Sequence, residues 1–483
     1  MATEINSELV RDDSGKISIG TAETVKISED EASRVSLYDN FTDTNSIPSE
    51  HYANNDVKRG LRNADGTGVL AGITKISNVH GYKIEDGKKV PDEGSVTFRG
   101  ISLADITSDM SPDYRFNFEE LAYLLLMGKL PNNKELSDFI EVIDSQRELP
   151  DGFTASRIML HAAPDIMNAL SRSILALYAY DDHAEERTPK HEIHTALSLM
   201  SRLPRIMVLS YYAKRATYNH DSMIMHRYIN GQSTAETILS MLRPDRQFTP
   251  EEARLLDVML CIHAEHGGGN NSSFTMRVLS SSDTDPYSAY SGAIGALKGY
   301  RHGGANHKIR AMQADMKGLI PEDKWSDEGL IGDYLRKIVR KEAYDRTGLV
   351  YGIGHAVYTL SDPRAVILKK FAEQLAKGSE FENEYKMLET IERIAPSIIT
   401  EERKAAGKSI SKSLCANVDM YSGFVYSMMG IPEDLFTPLF ACARMAGWAA
   451  HRFEEVVSGG RIIRPAYKNI DIHDDAFLPR DER

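Results

Sequence analysis

Isolated ionisable side chains occur in five apolar or glycine-rich stretches of the sequence. They are His266 in CIHAEHGGGNN, His302 in YRHGGANH, His355 and Arg364 in LVYGIGHAVYTLSDPR, Asp419 in LCANVDMYSGFVYSMMG and Arg444 in LFTPLFACARMAGWAA. A lone carboxylate in a partly desolvated setting suits a general base. Histidine donors can stabilise an enolate oxygen, and arginines bind carboxylates through two parallel hydrogen bonds. Together these side-chain types predict carbon–carbon bond formation next to a carbonyl group, with no cofactor required.

The stretch LVYGIGHAVYTLSDPR combines a glycine loop with the start of a helix. Gly352 and Gly354 permit backbone conformations that other residues avoid, and they leave room for a ligand. Asp362 is the expected N-cap and Pro363 the expected first helical residue. Arg364 would then lie in the first turn, where the helix dipole disfavours a cation. The stretch therefore predicts either an anion-binding site or an ordinary turn with a solvated arginine.

Two histidines, His263 and His266, stand at the end of a predicted helix beside three glycines. A metal site is one interpretation, but the spacing is not that of a known zinc motif and no third ligand follows. The alternatives are glycine capping of the helix, with the histidines at its negative end, and a His266 donor to a bound anion. His302 precedes two glycines and leaves a similar choice between an ordinary turn and a ligand contact. We expect no metal ligand among these residues.

Three further charged residues stand out by their surroundings. Asp419 is expected to cap the helix that follows it, as well as to act as a base. Arg444 is the lone charge of an apolar helix, and because burial of an unpaired guanidinium is costly, it either reaches solvent or faces an anion in a cleft. Arg464 precedes a proline, so its backbone is expected to be extended, which would let it reach another subunit.

The composition argues against several classes of protein. The 483 residues carry a net charge of −13, which disfavours a general affinity for nucleic acid or an anionic membrane. Cys261, Cys415 and Cys442 are widely spaced without a CxxC pair, which disfavours a disulfide framework and favours a cytoplasmic location. The acidic N-terminus lacks an apolar segment, so no signal peptide is expected. The motifs GxGxxG, GxxxxGK[ST] and GxSxG are absent.

Helical periodicity dominates the sequence after residue 100. Apolar residues recur at spacings of three and four, and Thr249-Pro250 and Asp285-Pro286 are typical helix starts. Residues 60–100 instead contain short β-prone runs separated by glycine-rich turns, which predict a hairpin with IEDGKKVPDEG as its exposed tip. We therefore expect a mainly α fold with an N-terminal arm over residues 1–56.

Five ordered motifs resemble those of the citrate synthase family: HAEHGGGN, RHGGAN, GIGHAVY followed by DPR, ANVDMYSG, and RMAGWAAH followed by RPAY. The likeness runs from about residue 60 to residue 467. It implies the citrate synthase fold, a mainly helical homodimer in which residues 57–309 and 421–483 form a large domain and residues 310–420 a small one. It also implies an acyltransferase that condenses acetyl-CoA, as a substrate, with oxaloacetate and water to give citrate and CoA.

The resemblance further implies a role for each motif residue. Asp419 would remove the methyl proton of acetyl-CoA, His302 would hydrogen-bond the thioester oxygen, and His355 would hydrogen-bond the carbonyl of oxaloacetate. The residues implied to bind oxaloacetate are His266, Arg364, Arg444 and, from the other subunit, Arg464. The residues implied to line the CoA side are Leu349, Gly352, Ile353 and Gly354.

Two positions depart from the family pattern, and two other functions stay open. His307 stands where many relatives have an acidic or amide residue. Thr359 stands where many relatives carry a lysine or arginine that contacts a CoA phosphate, and Lys369 or Lys370 is the candidate substitute. A 2-methylcitrate synthase would use propionyl-CoA with the same catalytic set. A non-catalytic regulator would bind a dicarboxylate or CoA on the same scaffold, although the intact Asp419, His302 and His355 argue against it.

Overall fold

The computed structural model describes residues 9–11, 17–19, 45–63, 65–108, 116–300, 302–407, 413–470 and 479–482. By its internal contacts the chain divides into two compact units, Met1–Val69 with Tyr467–Arg483, and Leu70–Ala466. The first unit contains antiparallel strands at Leu9–Arg11 and Ile17–Ile19 and short helices at Ser49–Asn54, Arg59–Leu61 and Arg480–Glu482. Most of the predicted arm of residues 1–56 lies outside the described residues.

The second unit is mainly helical, as the periodicity predicts. Its α-helices are Leu103–Ile106, Asn117–Met127, Asn133–Ser145, Ile166–Leu177, Pro189–Lys214, Thr234–Leu242, Pro250–His263, Asn271–Ser280, Pro286–Lys298, Ala305–Leu319, Glu328–Val339, Pro363–Ala376, Glu382–Ala405, Asp419–Met428 and Phe436–Val457. Short 3-10 or π-helical segments occur at Thr154–Met159, Tyr178–Tyr180, Arg215–Asn219, Glu322–Lys324 and Glu433–Leu435. Among the described helices, none is both long and apolar enough to cross a bilayer. The division into domains of residues 57–309 with 421–483 and of residues 310–420 stays a prediction.

The helix Phe436–Val457 carries Arg444 into the interior of this unit. All of its residues from Phe436 to Arg452 are buried, which is typical of a helix that is apolar on every face. It packs against the helices Pro189–Lys214 and Asn271–Ser280 and against the helix that ends at His263. A charged side chain in the middle of this helix therefore has no route to solvent along its own element.

Side-chain caps start three helices at the predicted positions. The side chains of Thr249, Asp285 and Asp362 each accept a hydrogen bond from a backbone N–H in the first turn, and a proline occupies the first turn in each case. Such caps satisfy amide groups that have no partner within the helix. The last of the three caps fixes the position of Arg364, two residues further on.

The predicted hairpin is present, but its strands are longer than expected. Ser77–Glu85 pairs with Lys88–Phe98 in antiparallel register, and Ile101–Ser102 adds a short third strand. Only Asp86 and Gly87, both with positive φ, form the turn. The segment IEDGKKVPDEG is exposed over residues 84–88, as predicted, but most of it is strand and not tip, because charged side chains on an exposed strand face do not prevent backbone pairing. The extended strands bring residues 92–94 against the chain near Thr359.

Candidate active site

Arg364 is held by the residue that caps its own helix. Its Nε and Nη2 donate to the two carboxylate oxygens of Asp362 at 3.0 and 2.8 Å, and its backbone N–H also donates to Asp362. Both side chains are buried. Burial alone would lower the pKa of Arg364, but the Asp362 carboxylate raises it above its ordinary value. The solvated alternative for Arg364 is therefore wrong, and the helix start holds a fixed positive charge.

Asp419 begins a helix, but its carboxylate does not cap it. The Asn417 side-chain oxygen accepts the Asp419 N–H at 3.1 Å, whereas the Asp419 carboxylate accepts from the Asn306 side-chain amide at 3.0 Å. The expected capping role is therefore wrong. Burial raises the pKa of Asp419 to about 7, while the nearby charge of Arg364 opposes that rise. A carboxylate that titrates near neutral pH is well matched to proton abstraction.

His302 is a neutral ring anchored at one nitrogen. Its Nε2 lies 3.1 Å from the Ser272 hydroxyl oxygen, and the Trp448 indole N–H donates to the same oxygen at 3.1 Å. Burial, together with the charges of Arg444 and Arg364, lowers the pKa of His302 to about 3. Because a neutral imidazole carries a single N–H, the contact with Ser272 determines which ring nitrogen can donate to a ligand.

His355 and His266 meet around one tyrosine. The His355 Nδ1 accepts backbone N–H groups of Val357 and Tyr358, each at 3.1 Å. The rings of His266 and His355 lie edge to face, with centroids 5.2 Å apart. The His266 Nε2 lies 3.0 Å from the Tyr358 hydroxyl oxygen. Burial, with Arg364 adding to it, holds the pKa of His266 well below its usual range.

Arg444 is fully buried, so the alternative in which it reaches solvent is wrong. Its Nε donates to the His263 carbonyl oxygen at 2.7 Å, and its guanidinium carbon lies 4.7 Å from the centre of the Phe440 ring. Within the described residues, neither Nη1 nor Nη2 has a hydrogen-bond partner. Burial, opposed by Glu265 and reinforced by Arg364, lowers the pKa of Arg444 to about 10. Two buried cationic donors without acceptors indicate an anionic ligand.

A buried carboxylate, hydrogen-bonded to a histidine, accepts the first N–H of the glycine run after His266. Glu265 and His451 are both fully buried, with Oε1 and Nε2 2.8 Å apart, and the Ser77 hydroxyl donates to the same carboxylate oxygen at 2.9 Å. Arg277 donates to the Nδ1 of His451 at 2.7 Å, so His451 donates from Nε2 to Glu265. Burial alone would raise the pKa of Glu265, but His451 and Arg444 lower it to about 2. The glycine run therefore rests on a permanent negative charge.

The glycine loop before His355 is joined to the chain that leads to Asp419. Gly352 and Gly354 have φ of 88° and 100°, a region that favours glycine. The Gly354 N–H donates to the Cys415 carbonyl at 2.7 Å, and the Asn417 N–H donates to the Gly352 carbonyl at 2.9 Å. A Cβ atom added to Gly352 would lie 2.8 Å from the sulfur of Met420. The loop therefore brings the His355 segment and the Asp419 segment together.

Four other predicted positions lie at the surface or have structural partners. Arg464 is exposed and makes no hydrogen bond or ion pair with the other predicted site residues in the described chain. Leu349 is also half exposed. Lys369 is ion-paired with Glu392 at 2.8 Å, so it is a poor candidate for a phosphate contact. Thr359 is buried, and its hydroxyl donates to backbone carbonyls of the hairpin.

One guanidinium acts on most of the predicted set. The charge of Arg364 lowers the pKa of His263, His266, His302 and Asp419. His355 joins these residues through the contact of its ring with that of His266. The structure thus brings together six of the seven residues predicted for catalysis and oxaloacetate binding, and Arg464 is the one left outside.

Sequence reasoning missed the uncharged residues that orient this set. They are Ser272 beside His302, Asn306 beside Asp419, and Tyr358 beside His266 and His355. Asn306 and Tyr358 lie within the motifs RHGGAN and GIGHAVY. Their place in these motifs was the only sequence signal that they belong to the site. The side chains that the three residues contact by hydrogen bonds, His302, His266 and Asp419, are 30, 92 and 113 residues away along the chain, so local spacing does not reveal these contacts.

Comparison with known proteins identifies the family. Residues 63–466 match the family model described as citrate synthase, C-terminal domain. A citrate synthase of Synechocystis is 31% identical over 86% of this chain and 92% of the relative. A 2-methylcitrate synthase of Shewanella oneidensis is 30% identical over 88% of this chain and 98% of the relative.

A solved structure gives the same result. It is citrate synthase of Thermoplasma acidophilum in a ternary complex with carboxymethyl coenzyme A and oxaloacetate. It superposes with a TM-score of 0.68 at 25% identity, covering 88% of this chain and 99% of that chain. The fold and site define an enzyme that forms carbon–carbon bonds at a carbonyl group. The chain belongs to the citrate synthase family.

The unpaired guanidinium of Arg444 predicts an unusual stability effect. Arg444→Met should leave the melting temperature of the ligand-free protein unchanged or raise it, because it removes a buried charge whose Nη atoms have no acceptor. Arg452→Met is the matched control, since Arg452 is buried in the same helix but donates to both oxygens of Glu192 at 2.6 and 2.7 Å. Breaking that pair should cost about 3–5 kcal/mol.

Differential scanning calorimetry of both variants without ligand measures this difference. An equal loss of melting temperature in the two variants would show that Arg444 is a structural residue and would contradict the assignment of an anion site.

Proposed function

We propose that this chain condenses acetyl-CoA with oxaloacetate and water to give citrate and CoA. The observation that carries the proposal is the arrangement around Arg364, whose charge acts on Asp419, His302 and His266. A base that titrates near neutrality, neutral histidine donors and buried guanidinium groups are the parts that this reaction needs. Family membership supports the same reaction.

Asp419 is the proposed base. Its carboxylate takes a proton from the methyl group of acetyl-CoA, and the Asn306 amide orients it for that transfer. Because the pKa of His302 is lowered to about 3, its ring donates a hydrogen bond to the thioester oxygen as a neutral group. The enol carbon then attacks the ketone carbon of oxaloacetate and forms the new carbon–carbon bond. No step requires a cofactor.

His355 is the proposed donor to the ketone oxygen of oxaloacetate. Its Nδ1 already accepts two backbone N–H groups, so the proton of the neutral ring lies on Nε2. That proton stabilises the alkoxide that forms as the carbon–carbon bond closes. Water then hydrolyses the citryl thioester and releases CoA, which completes the reaction.

The carboxylates of oxaloacetate are proposed to bind Arg444, Arg364 and His266. Arg444 supports this most strongly, because its Nη1 and Nη2 are buried without an acceptor in the described chain. The related Thermoplasma enzyme is described in complex with oxaloacetate. Arg464 is exposed, which is compatible with a homodimer in which it completes the site of the partner subunit.

The CoA side of the site is proposed to lie along Leu349, Gly352, Ile353 and Gly354. The two glycines have positive φ; Gly354 is half-buried, so a ligand can approach its backbone, whereas Gly352 is buried against Met420. Since Thr359 is buried against the hairpin, the phosphate contact that many relatives make at this position is absent here. We place the enzyme in the cytoplasm, from its widely spaced cysteines.

A 2-methylcitrate synthase activity is the second candidate, because a relative with that name is 30% identical over most of the chain. Thiol release with oxaloacetate and either acetyl-CoA or propionyl-CoA separates the two. We expect the higher kcat/KM with acetyl-CoA. A strong preference for propionyl-CoA would establish the second candidate, and no thiol release with either thioester would favour a binding protein without catalysis.

The pH dependence of turnover tests the base. Since Asp419 must be ionised to accept a proton and burial raises its pKa to about 7, kcat should rise with pH through about 7. Asp419→Asn should lower kcat by roughly 10²-fold or more, whereas Asp323→Asn, at an exposed position, should match the wild type. Wild-type turnover in Asp419→Asn, or a flat profile from about pH 6 to 8, would contradict the assignment.

A further inference from the structure

Tyr358 contacts three of the side chains that form the site. It is fully buried, and its hydroxyl oxygen lies 3.0 Å from the Nε2 of His266. Its ring stacks on His355 with centroids 4.5 Å apart and an interplanar angle of 26°. The guanidinium carbon of Arg364 lies 5.6 Å from the centre of the same ring, within the range of a cation–π interaction.

The phenol determines which nitrogen of His266 carries the proton. Burial raises the pKa of Tyr358 above its usual value, so the hydroxyl keeps its proton. In the described chain, His266 Nε2 is the one hydrogen-bond partner of that hydroxyl. A buried O–H without an acceptor is costly, so the hydroxyl donates to Nε2. Because His266 is neutral, its own proton then lies on Nδ1, where it can donate to a ligand oxygen.

The same residue fixes His355 in a different way. The Tyr358 backbone N–H is one of the two donors to the Nδ1 of His355, which places the His355 proton on Nε2. The stacked Tyr358 ring restricts rotation of the imidazole plane. Tyr358 therefore sets the tautomer of both histidines, one through its hydroxyl and one through its backbone.

The hairpin holds Tyr358 in this position. A Cβ atom added to Gly81 would lie 2.6 Å from the Tyr358 Cα, and one added to Gly94 would lie 2.9 Å from the Tyr358 Cδ1. These two glycines let the strands pack directly on the tyrosine. The hydroxyl of the next residue, Thr359, donates to the Gly81 carbonyl oxygen and joins the two segments.

We propose that Tyr358 is a positioning residue that presents the Nδ1–H of His266 and the Nε2–H of His355 to the oxaloacetate. This inference rests on the proposed function, because it assigns oxaloacetate as the ligand of both histidines. It adds a specific consequence: loss of the hydroxyl alone weakens oxaloacetate binding and leaves the thioester site unchanged.

Tyr358→Phe removes the hydroxyl and keeps the stacked ring. The KM for oxaloacetate should rise about two- to tenfold, which corresponds to one neutral hydrogen bond. The KM for acetyl-CoA and kcat should each stay within about twofold of the wild type. That change is small compared with the fall in kcat expected when the base is removed. Tyr358→Leu also removes the ring, so kcat should fall as well.

Tyr290→Phe is the matched control. Tyr290 is fully buried, and its hydroxyl has no hydrogen-bond partner among the described residues. Its removal should change neither KM. Melting temperatures of all three variants separate a local effect on the site from a general loss of stability.

Three results would overturn the role of Tyr358. One is a Tyr358→Phe variant with the wild-type KM for oxaloacetate. Another is an equal rise of the KM values for oxaloacetate and acetyl-CoA together with a lower melting temperature, because a general loss of stability would then explain the effect. The third is an equal change in Tyr290→Phe. Absence of both oxaloacetate binding and thiol release in the wild type is a distinguishable result, because it refutes the proposed function itself and this role with it.

Discussion

The buried carboxylate of Asp362 is the interaction on which the site depends. It caps the helix that begins at Pro363 and binds Arg364 through two side-chain hydrogen bonds. Its Oδ2 also accepts the backbone N–H of Val418 at 3.1 Å, directly before Asp419. One side chain thus fixes a guanidinium and the residue before the proposed base. Removal of Asp362 would leave a buried arginine unpaired and would break one of the hydrogen bonds that join the two segments of the site.

The two buried arginines of the site differ in how their charges are compensated. Arg364 has its own carboxylate, and the nearest negative charge for Arg444 comes from Glu265, which is engaged by His451. The histidines respond by staying neutral, with the pKa of His302 lowered to about 3. The Nη donors of Arg444 remain without an acceptor in the described chain. In the proposed function a carboxylate of oxaloacetate supplies that acceptor, so we expect the bound ligand to stabilise the folded protein.

The charged members of the site could be predicted from sequence, since an isolated charge in an apolar stretch is informative by itself. Caps such as Asp362 could be predicted because they act on the next few residues. The roles of Ser272, Asn306 and Tyr358 could not, because each is uncharged and the partner of its side-chain hydrogen bond is distant along the chain. The capping role expected for Asp419 was wrong because Asn417 accepts the Asp419 N–H in its place. The length of the hairpin strands was underestimated because polar residues on a solvent-facing strand resemble a loop.

We propose that the buried guanidinium of Arg444, whose Nη1 and Nη2 have no acceptor in the described chain, binds a carboxylate of oxaloacetate. Calorimetric titration of oxaloacetate into the ligand-free protein and into Arg444→Met tests it most directly. We expect one binding event per chain for the wild type. In the variant the affinity should fall by roughly 10²-fold or more, because one partner of a buried charge pair is removed. Equal affinities in the two proteins would contradict it.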